Sequence, residues 1–125
     1  MELSMLIAVW VVSGLLALAF LAGGSIKLLA PHDKLSQRMP WVGGFSPSVV
    51  KLIGIAEILG AIGLILPALT GIAPILTPIA ATGLALIQVG AIVVHARRKE
   101  YKAIPGNVVL LALTLFVAIA RFAGV

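Results

Sequence analysis

A single carboxylate, Glu57, lies near the middle of an apolar stretch, residues 49–67, which reads VVKLIGIAEILGAIGLILP. An acidic residue at the centre of a membrane helix opposes insertion by about 2.5–3.5 kcal/mol, and each Leu, Ile or Val favours it by about 0.3–0.6 kcal/mol. The stretch contains eleven such apolar residues. It is therefore expected to insert despite the acid. An ionisable residue at this depth is by default a candidate functional site.

Gln88 is the predicted hydrogen-bond partner of Glu57. At a rise of about 1.5 Å per residue, the two side chains lie at the same depth as Phe20 and Thr114, near the membrane midplane. Small residues share the helix face of Glu57 at offsets of three and four, namely Gly54, Gly60 and Ala61. No basic residue is expected at this depth, so Glu57 is predicted to be protonated and not part of an ion pair. Three roles remain open: an interhelical hydrogen bond, a polar anchor for a small ligand, or a proton-binding site.

A second polar set is predicted about one helical turn inside the membrane edge. It consists of Lys27, His95 and Asn107, which come from three different apolar segments, with Lys51 at the rim. Together they would form a small polar pocket. In the alternative interpretation, the two lysines extend to the headgroups, His95 caps a helix end, and Asn107 satisfies nearby backbone groups. The candidate ligand-binding residues are thus Glu57, Gln88, Lys27, His95 and Asn107.

No catalytic or metal centre is predicted. The two histidines, His32 and His95, lack metal-ligand spacing, and a haem held by two histidines would need both inside the bundle. The chain has no cysteine, which excludes disulfides, thiolate metal ligands and iron–sulfur ligation within it. Neither a Ser-His-Asp set, a glycine-rich phosphate loop nor a pair of carboxylates can be assembled. The chain is therefore not expected to be an enzyme.

Composition places these residues in an integral membrane protein. Of the 125 residues, 62% are hydrophobic and 10% are charged, and the mean hydropathy is +1.22. Soluble domains carry about 25% charged residues. Each membrane span needs about 20 residues, so four spans use most of the chain and leave one domain, 1–125. The first apolar run lacks the basic start of a signal peptide, and we expect it to be a retained helix.

The predicted fold is an all-α bundle of four transmembrane helices, at about 4–29, 48–66, 75–95 and 105–123. Ser46-Pro47 and Thr77-Pro78 are each typical of an N-cap followed by a first turn. A short interfacial helix is predicted between Pro31 and Pro40. Glycine and proline residues divide the long uncharged stretch 58–94 into two helices.

The distribution of basic residues predicts the orientation. Eight fall at or between the ends of spans one and two and of spans three and four: Lys27, Lys34, Arg38, Lys51, Arg97, Arg98, Lys99 and Lys102. The opposite side has only Arg121. Basic loops stay cytoplasmic, so both termini are predicted on the outer side of a plasma (inner) membrane. Topology explains the net charge of +5, and no nucleic-acid partner is expected.

Several segments resemble the DoxX-like family. They are FLAGGSIKLL, the hairpin IGIAEILGAIGLILPALTGIAPILTPIAATGLAL, the end of span three at His95-Ala-Arg-Arg-Lys-Glu100, and the last span with Asn107 and Arg121-Phe122. Lys27, Glu57, His95 and Asn107 fall at matching places. The resemblance implies a small four-helix membrane protein of poorly defined activity. The wider group includes the membrane subunit of a thiosulfate:quinone oxidoreductase, proteins of redox or oxidative-stress complexes, and relatives that assist membrane-protein assembly.

The leading hypothesis is a small bacterial inner-membrane protein that holds a quinone or another apolar molecule between its helices, with Glu57 and Gln88 as polar contacts. No other cofactor is expected. The alternative is a scaffold or assembly subunit of a larger complex, such as a redox complex, which forms homo-oligomers or packs against another membrane protein. At most it would be a non-catalytic subunit of an oxidoreductase. A proton-coupled transporter ranks last, because the spans contain no second intramembrane acid and no mirrored pair of broken helices.

Overall fold

The computed structural model describes residues 2–125, and over that range the chain is helical and contains no strand. The α-helices are α1 (Glu2–Leu29), α2 (His32–Arg38), α3 (Pro47–Thr70), α4 (Leu76–Arg97) and α5 (Ile104–Phe122). Two short 3₁₀ helices, Pro40–Gly44 and Tyr101–Ala103, precede α3 and α5. Four helical segments are long and apolar enough to cross a membrane: α1, α3, α4 and Tyr101–Phe122. The predictions of an all-α fold with four long apolar helices, and of a short helix after Pro31, are confirmed.

The four long helices pack in a ring, because α1 and α4 each contact both α3 and α5. The core between them is built from apolar side chains, among them Leu16, Phe20, Leu64, Leu84 and Val117. Large apolar side chains also cover the outer faces of the same helices, where Leu18, Leu59 and Leu86 are each more than half exposed. Apolar surfaces on both sides of a helix suit burial in lipid. The chain is a multi-pass membrane protein.

Helices α1 and α3 come into backbone contact at two glycines, Gly24 and Gly54. A Cβ atom on Gly24 would lie 2.6 Å from the carbonyl oxygen of Gly54, and one on Gly54 would lie 2.6 Å from that of Gly24. Side chains larger than hydrogen therefore do not fit at either position. The sequence also predicts close packing at the small pair Ala19 and Gly23. Both residues line a cavity, and a Cβ atom on Gly23 would lie 3.8 Å from Oε2 of Glu57 on α3.

The hairpin between α3 and α4 is held by a threonine that compensates for a proline. Helix α3 continues through Pro67 to Thr70, beyond the predicted end near 66. Since Pro67 has no N–H, it cannot donate to the carbonyl of Gly63. The hydroxyl of Thr77 donates to that carbonyl at 2.8 Å and accepts from the N–H of Ala68 at 3.2 Å. Thr77 was predicted to cap α4. That prediction is wrong, because its hydroxyl serves the neighbouring helix and α4 begins at Leu76 without a side-chain cap.

The two polar connections lie together at one end of the bundle. Ser46 caps α3 as predicted, accepting from the N–H of Val49 at 3.3 Å. A small apolar cluster of Leu35, Val42 and Val50 fixes the first connection to the start of α3. A Cβ atom on Gly44 would lie 3.4 Å from an Arg98 nitrogen, so the first connection touches the second. The two basic connections therefore lie next to each other at this end of the bundle.

Candidate functional site

Glu57 forms a salt bridge with Lys27. The ammonium of Lys27 donates to Oε1 of Glu57, and the exposed fractions of the two side chains are 14% and 5%. The prediction that Glu57 has no ionic partner is therefore wrong. The glycine contact is the physical reason, because Gly24 and Gly54 each lie three residues before a member of the pair, which places the two side chains on facing helix surfaces.

The pair is enclosed on the loop side by an aromatic ring. Trp41 lies in the 3₁₀ helix Pro40–Gly44 of the first connection, and the Lys27 ammonium is 5.9 Å from its ring centroid. The indole face favours a cation at that distance. Phe45 packs edge-on against Trp41, with ring centroids 5.8 Å apart. Lys27 thus bonds inward to Glu57 and does not extend to the membrane edge.

The five sequence-predicted site residues all line one cavity of about 1070 Å³. They come from every long helix: Lys27 from α1, Glu57 from α3, Gln88 and His95 from α4, and Asn107 from α5. The cavity is at the upper end of the range for small-molecule pockets, about 300–1,000 Å³. The structure merges the two predicted polar groups into a single site.

Two polar atoms at this site are buried without a hydrogen-bond partner within residues 2–125. They are Oε1 of Gln88 and Nδ2 of Asn107. The predicted bond between Gln88 and Glu57 is absent from the described residues, because Lys27 pairs with Glu57 instead. Gln88 is only 4% exposed. A buried polar atom without a partner costs about 1–3 kcal/mol. The cavity therefore presents one acceptor and one donor, at different depths, that a ligand could pair with.

The walls around these polar groups are apolar. Side chains and backbone from all four helices contribute Ala19, Phe20, Gly23, Ile53, Ile87 and Leu110. Phe20, which was predicted at the depth of Glu57, is buried and lines the cavity. Thr114 is buried at the same predicted depth but faces its own helix, donating to the carbonyls of Leu110 and Leu111 at 2.9 Å each. The arrangement suits a largely apolar molecule that carries a few polar atoms.

The opening of the cavity is polar and is formed by residues that sequence reasoning did not assign to the site. It includes Arg38, Trp41, Lys99, Glu100 and Lys102. Lys51, which was expected at the rim, does not line the cavity. The basic residues were interpreted first as topology signals, and the run from Arg97 to Lys99 second as a patch for anionic lipid. Both connections are basic and both precede a helix that starts near a proline. This shared pattern was the available indication that the two connections would border the same cavity opening.

His95 belongs to a polar cluster at this opening. Its Nδ1 lies 3.1 Å from Oε1 of Glu100, and Nε of Arg98 donates to the same oxygen at 3.2 Å. Residues 2–125 contain no group of three His, Cys, Asp or Glu side chains that could hold a metal ion. Through Glu100, the cluster joins the end of α4 to the second connection.

Arg121 lies at the opposite end of the molecule. Its guanidinium carbon is 4.6 Å from the centroid of the Trp10 ring, and Nη1 donates to the carbonyl of Val125 at 2.8 Å. The sequence predicts a residue that extends to the interface. In the structure it joins α5 to α1 through the Trp10 ring, away from the cavity.

Comparisons with known proteins agree with this architecture. A sequence profile described as the DoxX-like family matches residues 11–117. Searches of curated proteins and of solved structures found no match. The match covers α3, α4, both polar connections and most of α1 and α5, and it includes each of the five predicted site residues.

Proposed function

This chain belongs to the DoxX-like family, and we propose that it binds a small, largely apolar molecule such as a quinone or a lipid in the cavity beside Glu57 and Gln88. The observation that carries the proposal is Oε1 of Gln88, an acceptor that is buried inside an apolar cavity and has no donor among the described residues 2–125. A ligand O–H or N–H group at that depth would remove the cost of leaving it unpaired. The proposal assigns no catalytic step to the chain.

The residues present fit a quinone head group. A quinone carbonyl accepts hydrogen bonds, and Nδ2 of Asn107 is a buried donor without a partner in the described chain. The hydroxyl of the reduced form would donate to Oε1 of Gln88. When bound, a quinone would supply a two-electron carrier, and this chain would hold it and exclude water. A redox partner protein would then perform the electron transfer.

Fluorescence of Trp41 offers a direct test, because this residue lines the cavity. The chain has two tryptophans, and Trp10→Phe leaves Trp41 as the single reporter. In nanodiscs of neutral lipid, we expect decylubiquinone or a brominated long-chain alcohol to quench Trp41 saturably. Gln88→Leu should weaken the binding by about tenfold, the equivalent of one hydrogen bond.

Two glycines of α4 provide a matched pair of variants. A Cβ atom on Gly90 or on Gly83 meets no atom within 4 Å, but only Gly90 lines the cavity. Gly90→Phe should abolish the saturable part of the quenching, while Gly83→Phe should leave it unchanged. Quenching that is non-saturable with every probe, or equal in the two variants, would show that the probes only dissolve in the bilayer and would refute the proposal.

The proposal places the protein in the bacterial plasma (inner) membrane, with both basic connections in the cytoplasm and both termini outside. Support comes from the basic residues around the cavity opening and the positive-inside rule. The chain has no cysteine, so single cysteines can report the topology. We expect Ser36→Cys to be shielded from an impermeant maleimide in intact spheroplasts and Ala123→Cys to react. The reverse pattern would invert the orientation.

The second candidate function is a scaffold that packs against itself or another membrane protein. It is supported by a shallow apolar groove of about 440 Å³ between α1 and α3, lined by Gly14, Ala17 and Ala61 among others. Small residues favour helix association in membranes. A Gly14→Phe variant should shift an oligomer to the monomer by light scattering in detergent. A wild type that is already monomeric would exclude self-association.

A further inference from the structure

Three cationic side chains at the cavity opening have no acidic partner among residues 2–125. Arg38 comes from α2, and Lys99 and Lys102 come from the connection between α4 and α5. All three residues are exposed, and none takes part in the salt bridges of the described chain. Positive charges from two separate connections therefore converge on one opening.

The acidic side chains that line the same cavity are already engaged. Glu57 pairs with Lys27 inside it. At the opening, Glu100 accepts from Arg98 at 3.2 Å and lies 3.1 Å from Nδ1 of His95. Neither acid is left to neutralise the three cations. Apolar walls of low dielectric concentrate the resulting positive potential at the opening, which attracts an anion.

Lys99 occupies a backbone position that favours glycine. Its φ angle is +59°, in the left-handed region that costs free energy for any residue with a Cβ. Its N–H donates to the carbonyl of Ala96 at 3.2 Å, and the N–H of Glu100 donates to that of His95 at 2.8 Å, which ends α4. Glycine is usual at such a helix end. The sequence instead places a cation that lines the cavity here.

We propose that the bound molecule is an anionic amphiphile, a long apolar body with one carboxylate or phosphate group. The acidic group binds at Arg38, Lys99 and Lys102. The largely apolar remainder extends between the helices toward Phe20 and carries an O–H or N–H group that donates to Oε1 of Gln88. This inference rests on the proposed binding function and names the chemical class of its ligand. A neutral quinone would use the apolar walls and leave the three cations without a role.

The test compares probes that differ only in their charge. In the Trp10→Phe background and neutral nanodiscs, a dibrominated stearic acid and the matching stearyl alcohol are titrated against the fluorescence of Trp41. We expect the acid to bind at least about tenfold more tightly, with an advantage that falls as salt is added. A brominated single-chain phosphate ester and a brominated phosphatidylglycerol then show whether the anion is a free amphiphile or a bilayer lipid.

A charge-removal variant assigns the effect to the opening. Arg38→Gln, Lys99→Asn and Lys102→Gln are combined, with asparagine chosen because it tolerates a positive φ angle. Acid binding should fall by about a hundredfold, at roughly fivefold for each cation, and alcohol binding should not change. The matched control combines Lys34→Gln, Lys51→Gln and Arg97→Gln, three exposed cations at the same end that do not line the cavity. It should retain the preference for the acid.

The outcomes separate this inference from the function on which it rests. Equal binding of acid and alcohol, both blocked by Gly90→Phe, would overturn the anionic ligand and leave the apolar site standing. Loss of the acid preference in the control triple variant would also overturn it, since the effect would then be general surface charge. Binding that Gly90→Phe does not block would overturn both proposals.

Discussion

Replacing Lys27 with methionine should destabilise the protein more than any other single loss of charge. Methionine keeps most of the apolar length of the lysine, so the main change is that Glu57 loses its cation at 5% exposure. Breaking a buried ion pair from one side costs about 3–5 kcal/mol. The insertion cost of an acid at the centre of a membrane helix is about 2.5–3.5 kcal/mol. We therefore expect the free energy of unfolding to fall by about 3 kcal/mol.

The opposite replacement should cost less, because Lys27 has an alternative that Glu57 lacks. Glu57→Gln leaves the ammonium without its partner, but Lys27 lies two residues from the end of α1 and is 14% exposed. Its long side chain can turn toward the headgroups. The expected loss is then about 1.5–3 kcal/mol, that of one hydrogen bond to a charged group, and we place it at the lower end.

The double variant Lys27→Met with Glu57→Gln leaves neither charge without a partner. Its loss should therefore be smaller than the sum of the two single losses, with a coupling energy of about 2 kcal/mol. The assay is reversible unfolding in mixed micelles of dodecylmaltoside and SDS, followed by far-UV circular dichroism. Lys51→Met is the control, because Lys51 is exposed and forms no salt bridge in the described chain. Additive losses, within about 0.5 kcal/mol, would refute the ion pair.

Three further predictions use the same unfolding assay. Gly54→Ala places a Cβ atom 2.6 Å from a backbone oxygen of α1 and should lower the free energy of unfolding by about 1–3 kcal/mol as the helices separate. Gly14→Ala, with open space around it, should be neutral or stabilising. Equal effects of the two variants would contradict the close contact. Thr77→Val should cost about 1–2 kcal/mol by removing the donor for the carbonyl opposite Pro67, and adding Pro67→Ala, which restores the N–H, should recover most of it; no recovery would contradict this role. Trp10→Leu should cost about 1 kcal/mol through loss of the cation–π contact with Arg121, and a loss that persists when Arg121 is also replaced by Gln would assign the effect to packing alone.

Sequence patterns predicted features that depend on one helix at a time. Residues on one helix have a fixed spacing, so Gly54, Gly60 and Ala61 were correctly placed on the buried face with Glu57. Depth counting placed the predicted polar residues in two layers, because antiparallel helices of similar length share a depth scale; the structure shows that both layers line one cavity. The N-cap at Ser46 follows from the local chain alone, and it was predicted for the same reason.

Features that depend on how two helices cross were not predictable in the same way. A Thr-Pro pair is typical of a helix start. Thr77, however, lies where α4 passes Pro67 of α3, and its hydroxyl bonds to the carbonyl of Gly63, for which Pro67 has no N–H. The two basic connections border one cavity opening because Gly44 of the first connection packs near Arg98 of the second. Neither relation leaves a periodic signal within one segment.

The error at Lys27 shows what a hydropathy argument leaves out. A lysine in the last turn of a membrane helix is assigned to the headgroups because its side chain is long enough to reach them. The same length lets it reach inward, and the direction depends on which acceptor is nearer. Gly24 and Gly54 reduce the distance between α1 and α3 to backbone contact, and each lies three residues before one member of the pair. In this protein the salt bridge between neighbouring membrane helices follows from an inward acid, a facing lysine and a glycine three residues before each of them. The estimated depth of the two residues in the membrane did not predict it.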